Sequence, residues 1–145
     1  MWLAGCMDLA TAIEWAADRK NGVLITIRSD GRPQSSDIVY VVADATFVIS
    51  LTNTRAKTRN LRRDPRAVLH LTDPASWSYL AFDGLVEMSP VTTSPDDRTS
   101  DALVAYYEQI AGGPHDDWDE YRRAMVAEQR LLATFTPSSA VGQIR

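Results

Sequence analysis

The spacing of apolar residues divides the chain into helical and extended stretches. Leu9, Ala12, Ile13 and Ala16 recur at i, i+3, i+4 and i+7, on one face of a short helix. Asp8 precedes them as an N-cap, and Asn21-Gly22 supplies a stop. From Gly22 the period changes to two: Val23, Ile25 and Ile27 alternate with Leu24, Thr26 and Arg28. A hairpin turn at Asp30-Gly31, with positive φ expected at both residues, returns the chain along Pro33–Val42. Ala43-Asp44-Ala45 turns it again, and Phe47, Ile49 and Leu51 mark a third strand.

A polar, basic stretch follows, with a short helix near Arg55–Arg63 that Asp64-Pro65 stops. Arg66–Thr72 reads as a fourth strand and Asp73-Pro74-Ala75 as a turn. Ser78–Met88 is a longer fifth strand with Gly84 at a bulge or close approach. After the linker Pro90–Pro95, Asp96 and Asp97 open a helix with Leu103, Tyr106, Tyr107 and Ile110 on its apolar face. Gly112-Gly113-Pro114 ends it. Another helix carries Trp118, Tyr121 and Met125. Arg130–Pro137 is a sixth strand and Val141–Ile144 a short last one. Successive hairpins without a βαβ crossover imply an antiparallel sheet or barrel with helices at its rim.

The 145 residues suit a single domain, and 45% hydrophobic with 23% charged residues is ordinary for a packed core. A formal net charge of -4 disfavours a general nucleic-acid binder. Cys6 is the only cysteine, so no intrachain disulfide or cysteine-built zinc site is available, and a reducing, cytoplasmic setting is expected. No apolar run approaches the ~18–20 residues of a membrane span. Residues 1–6 lack a basic start and are expected to be an extension outside the core, with no function placed on them.

The most informative stretch is Arg55-Ala56-Lys57-Thr58-Arg59-Asn60-Leu61-Arg62-Arg63. With Arg66 it holds six of the 15 basic residues of an acidic chain. A solvated helix face is the usual fate of such a run. Arg62 and Arg63, however, suit the helix C-terminus, whereas Arg55 and Lys57 fall in its first turn, where each cation costs about 0.3–1 kcal/mol. A bound phosphate reverses that sign. Gln34-Ser35-Ser36-Asp37 is a second candidate, against the reading of an amphipathic strand's solvent face. Trp77-Ser78-Tyr79 is a third, suited to stacking on a planar ring or to core or dimer packing. His70 reads as a packed strand residue, and His115 as a solvated loop residue beside Asp116 and Asp117. No metal site, catalytic triad or P-loop is legible.

Taken in order, the strand Gly22-Val23-Leu24 with Thr26, the turn Asp30-Gly31-Arg32-Pro33-Gln34, the block from Arg55 to Ala67 and Trp77-Ser78-Tyr79 resemble the pyridoxamine 5′-phosphate oxidase-like split β-barrel superfamily. Within it the chain is most similar to the small actinobacterial flavin/deazaflavin oxidoreductases of the B group, which use coenzyme F420. The similarity extends over about residues 9–145. It implies a mainly β, α+β fold: one domain, 1–145, built as a six-stranded antiparallel split barrel with peripheral helices. It also implies a homodimer with the cofactor at the interface. Arg55, Lys57 and Thr58 match phosphate-binding positions, with Ala56 and Asn60 in the same block. Gln34, Ser35, Ser36, Ser50 and Leu51 match positions lining the ring and ribityl chain, and Trp77 and Tyr79 match positions near the cofactor. Arg59, Arg62 and Arg63 are placed to face an acidic tail, and Tyr79 is the candidate proton donor. The implied activity is hydride transfer from F420H2 to an electron-poor small molecule such as an activated alkene, a quinone or a tetrapyrrole. FMN is the alternative cofactor, and a non-catalytic F420 carrier the alternative role. No nucleic-acid or membrane partner is expected.

Overall fold

A computed structural model of the protein describes residues 5–145. The described elements begin with β1 (Cys6–Met7), α1 (Leu9–Ala17), β2 (Asn21–Ile27), β3 (Pro33–Ala43) and β4 (Thr46–Thr52). They continue with α2 (Ala56–Arg63), β5 (Arg66–Asp73), β6 (Ser78–Met88), α3 (Arg98–Ala111), α4 (Trp118–Ala127) and β7 (Arg130–Gln143). The strands run antiparallel in the order β1-β7-β4-β3-β2-β5-β6, and β6 also pairs with β7. That last pairing closes six strands, β2 to β7, into a barrel. The expected extension, residues 1–6, lies partly outside the described residues, as does Trp2. Cys6 and Met7 pair with Val141 and Ala140, and Met7 packs against the core.

Alternation along each strand fills the barrel. Leu24, Tyr40, Phe47, Ile49, Leu69, Phe82 and Phe135 are all buried. Phe47 is at the centre, with ring centroids of Phe82, Tyr40 and Phe135 at 5.0, 5.2 and 6.0 Å. Fully burying such side chains contributes about 1.5–3 kcal/mol each. Helix α1 packs on the barrel through Ala12 and Ala16, both fully buried.

Several elements differ from the sequence reading. Helix α1 ends at Ala17, and Asn21-Gly22 already belongs to β2. No glycine is needed there, because the Arg19 guanidinium donates to the Trp15 carbonyl (2.8 Å) and the Tyr40 hydroxyl to that of Ala16 (2.7 Å). The last strand is continuous from Arg130 to Gln143 rather than broken after Pro137. Between Asp83/Gly84 on β6 the register shifts, so Gly84 lies opposite Pro137 and Asp83 opposite Ser139. The bulge tolerates a proline inside a paired strand. A Cβ on Gly84 would collide with the Thr136 carbonyl oxygen and lie 2.7 Å from the Phe135 ring.

The first hairpin turn also differs from the expected type. At Ser29-Asp30-Gly31 only Gly31 has positive φ (85°), within a three-residue loop that Arg28 closes by donating to Arg32. The two-residue loop Asp44-Ala45 has positive φ at both positions, 50° and 60°, although neither is glycine. A left-handed alanine costs about 1–2 kcal/mol. Helix α3 is capped by Asp97, whose carboxylate accepts from the Ser100, Thr93 and Ser94 amides and the Thr92 hydroxyl. Burial alone would raise the pKa of Asp97, but these donors outweigh it and hold it at about 2.

Ala45→Gly should raise the urea midpoint, with a net gain of up to about 1 kcal/mol after the entropy that glycine adds to the unfolded chain. Gly84→Ala should lower it by about 1–3 kcal/mol. The Asp97 cap contributes stability that is fully present above its unfolded pKa of 3.8 and lost as pH falls towards about 2. Urea melts of wild type and Asp97→Ala should therefore differ by about 0.5–2 kcal/mol at neutral pH and converge in strong acid.

Candidate functional site

The loop after β4 leads directly into α2, so the first turn of the helix stands beside the ends of β3, β4 and β7. Arg55 is the N-cap, yet no side chain caps the helix and its first turn holds no acid. Among the described residues no acceptor meets the N–H groups of Ala56 and Lys57. Both residues line a cleft of about 480 Å³, together with Gln34, Ser36, Ser50, Leu51, Thr52, Arg55 and Arg130.

The basic block divides into two sets. Arg62 donates to the Asn53 side chain (2.5 Å), Arg63 to the Ile27 carbonyl (2.9 Å) and the Asn60 side chain (3.0 Å), and Arg66 pairs with Asp64 (2.8 Å). These three serve the fold, and Arg62 and Arg63 are thereby committed to protein partners rather than presented to an acidic tail. Among the described residues Arg55, Lys57 and Arg59 make no ion pair and no side-chain hydrogen bond. Burial pushes the pKa of Lys57 down, and the positive charges of Arg55 and Arg130 push it further, against a smaller opposing pull from Asp37. The cleft therefore holds several cations in mutual repulsion at an uncapped helix N-terminus. An anion with several acceptor oxygens relieves both strains together.

Asn60 and Thr58 lie behind this surface. Asn60 is buried; its amide donates to the Thr26 hydroxyl (3.1 Å) and the Gln34 side-chain oxygen (2.9 Å). That orients Gln34, leaving its own amide N–H groups as donors in the cleft. Thr58 is fully buried and its hydroxyl donates to the Thr52 carbonyl (2.7 Å), tying the helix to β4. Ser35 alternates with Gln34 and Ser36 and is exposed on the other face of β3.

Trp77 and Tyr79 do not line this cleft in the same chain. Trp77 is 79% exposed and left-handed, φ 55°, at the end of a 3-10 turn (Pro74–Ser76). Tyr79 stacks on His70 at 6.0 Å on the outer face of β5 and β6. His115 is half-buried among aromatic rings rather than solvated: Tyr107 is at 5.2 Å, Tyr121 at 5.5 Å and Trp118 at 5.8 Å. Among the described residues no group of three or more His, Cys, Asp or Glu is assembled for a metal, and no helix is long and apolar enough to cross a membrane.

Sequence reasoning missed Thr52 and Arg130. Neither belongs to a local motif, and only the β4–β7 register, which pairs Thr52 with Arg130, brings them to the cleft. Arg130 also bonds Glu128 through its Nε (3.0 Å), which steadies the side chain.

The pattern that defines the pyridoxamine 5′-phosphate oxidase family matches residues 11–136. Among solved structures, the fold is similar to that of a conserved hypothetical protein of Mycobacterium tuberculosis, with a TM-score of 0.74 and 23% identity over 95% of this chain and 85% of that one. It is also similar to an F420 reductase, with a TM-score of 0.65 and 23% identity over 88% and 94% of the two chains. An FAD-binding protein of Mesorhizobium loti gives a TM-score of 0.67 at 14% identity, over 97% and 95%. These likenesses concern the fold.

Replacing Lys57 by Gln should stabilise the protein in phosphate-free buffer by about 0.3–1 kcal/mol, the cost of a cation at a helix N-terminus. The same variant should gain less thermal stability than wild type when inorganic phosphate is added. Asn60→Ala should cost about 1–3 kcal/mol in urea unfolding, because Thr26 and Gln34 lose a buried partner.

Proposed function

The chain belongs to the pyridoxamine 5′-phosphate oxidase family, and from that premise we propose that its cleft binds coenzyme F420 and that the protein is an F420H2-dependent reductase. The acceptor is an electron-poor small molecule of the activated-alkene, quinone or tetrapyrrole type. The observation that carries the reading is the convergence of Arg55, Lys57 and Arg130 on the uncapped start of α2. This donor set fits a phosphodiester. The polar wall beside it, Gln34, Ser36 and Ser50, fits a hydroxylated chain leading away from the phosphate. Arg59, without a side-chain partner among the described residues, adds charge of the sign that suits an acidic tail.

When bound, the reduced deazaflavin supplies the hydride. The chain's own residues bind and orient it. Lys57 and Arg55 neutralise the phosphate, and the helix donors at Ala56 and Lys57 fix its position. Gln34, held by Asn60, offers its amide to the chain or ring.

Trp77 and Tyr79 enter this reading through a second copy of the chain. The outer barrel surface has a shallow depression of about 430 Å³ in which Ile25, Ile27, Pro33, Val68 and Leu85 are lining residues. Leu85 is 55% exposed there. An apolar patch of this kind suits a subunit interface. In this reading, pairing across it completes the cofactor site with the partner's aromatic segment.

Titration of the apo-protein with oxidised F420 and with FMN, followed by fluorescence, tests the cofactor. F420 should be preferred. Lys57→Ala should weaken it about ten- to hundredfold, the range for one lost charge-assisted hydrogen bond. Preference for FMN moves the protein to the flavin branch, and binding of neither overturns the reading. Leu85→Asp should shift the solution mass from that of a pair to that of one chain and weaken F420 binding with it, as read by light scattering and the same titration.

A further inference from the structure

A second cavity, about 380 Å³, adjoins the cleft and shares Ser50, Lys57 and Arg130 with it. Its remaining walls come from β3 and from the α3–α4 pair, notably Tyr106, Tyr121 and Met125. Neither helix contributes a residue to the cleft itself.

The chemistry of this annex differs from that of the cleft. The Tyr106 hydroxyl donates to the Val39 carbonyl (3.0 Å), and that of Tyr121 to the Leu103 carbonyl (2.9 Å). Both donors are therefore committed to backbone, and the rings present apolar surface. Burial raises both phenols, Tyr121 to about 12, so they stay neutral. With Met125 they form an adaptable wall suited to a flat apolar body. Lys57 and Arg130 lie where the annex meets the cleft. Arg130 pairs with Glu128 through Nε alone, so its remaining N–H groups are available. Asp37 is also on the wall and opposes an anion, but the two cations outnumber it.

We propose that this annex is a binding site for a flat apolar carboxylic acid, whose carboxylate pairs with Arg130 and Lys57 while its body lies against Tyr106, Tyr121 and Met125. It places that acid group beside the anion site of the adjoining cleft, on cations that the two share.

The test uses trans-cinnamate as probe and cinnamamide as its neutral counterpart, titrated calorimetrically into the full chain with and without F420. Cinnamate should bind at least tenfold tighter than the amide. Met125→Trp, which fills the annex from α4, should weaken cinnamate at least tenfold and leave the F420 and FMN titrations unchanged. Val39→Phe fills it from β3 and serves if Met125→Trp does not fold. Equal binding of acid and amide overturns the proposal, as does an absence of saturable cinnamate binding. Loss of F420 in Met125→Trp with FMN retained also overturns it, since the carboxylates then belong to the cofactor's own tail. If the chain takes up cinnamate but neither F420 nor FMN in their own titrations, the annex stands and the cofactor reading of the cleft falls.

Discussion

The attachment of α2 to the barrel is the constraint on which the site depends. This helix has eight residues, too few to be stable alone, and most of its surface is polar. It is held by Leu61 in the core, by Thr58 on the Thr52 carbonyl and by Asn60 bridging Thr26 and Gln34. Asn60 is satisfied on both sides, since Arg63 donates to its oxygen. A buried polar node of this kind is stabilising only when complete. Its completeness fixes the direction of the helix axis, and hence where the free N–H groups of the first turn point.

The barrel supplies the other half of the geometry. Closure of β6 on β7 holds β4 and β7 in a register that places Arg130 beside Thr52. Arg130 is more than sixty positions beyond Arg66, the last basic residue of the block, yet it shares the cleft with Lys57. One rigid frame thus collects charge from a loop, a helix and the first residue of the last strand. Burial, and after it the charges of Arg55 and Arg130, hold the pKa of Lys57 down, and Asp37 offsets this only in part.

Much of the frame was legible from period and turn chemistry. The strands β2 to β6 follow two-residue alternation, and Asp8 and Asp97 cap the helices they precede. The misses have specific causes. Helix α1 ends early because two side chains, remote from any glycine, satisfy its carbonyls. The unbroken β7 depends on a bulge contributed by another strand. The left-handed pair Asp44-Ala45 has no glycine to announce it. At the site, the basic block was visible as composition, but its division into paired and unpaired members was not. Arg62 and Arg63 are held by Asn53, Ile27 and Asn60, contacts that exist only after folding. Trp77 was visible as a residue type, whereas its exposure and left-handed backbone were not.

The place of β7 in the chain order has a kinetic consequence. It bonds to β1, β4 and β6, all of which precede it. Until β7 arrives, β4 and β6 are open edges with apolar faces, and the barrel has no closed intermediate to shelter them. Loop-closure entropy must be met before those long-range pairings give anything back, so folding is slow for a chain of this size. During that interval the open edges offer themselves to other chains. Recovery of folded protein is therefore governed by temperature and concentration during synthesis as much as by the stability of the finished barrel.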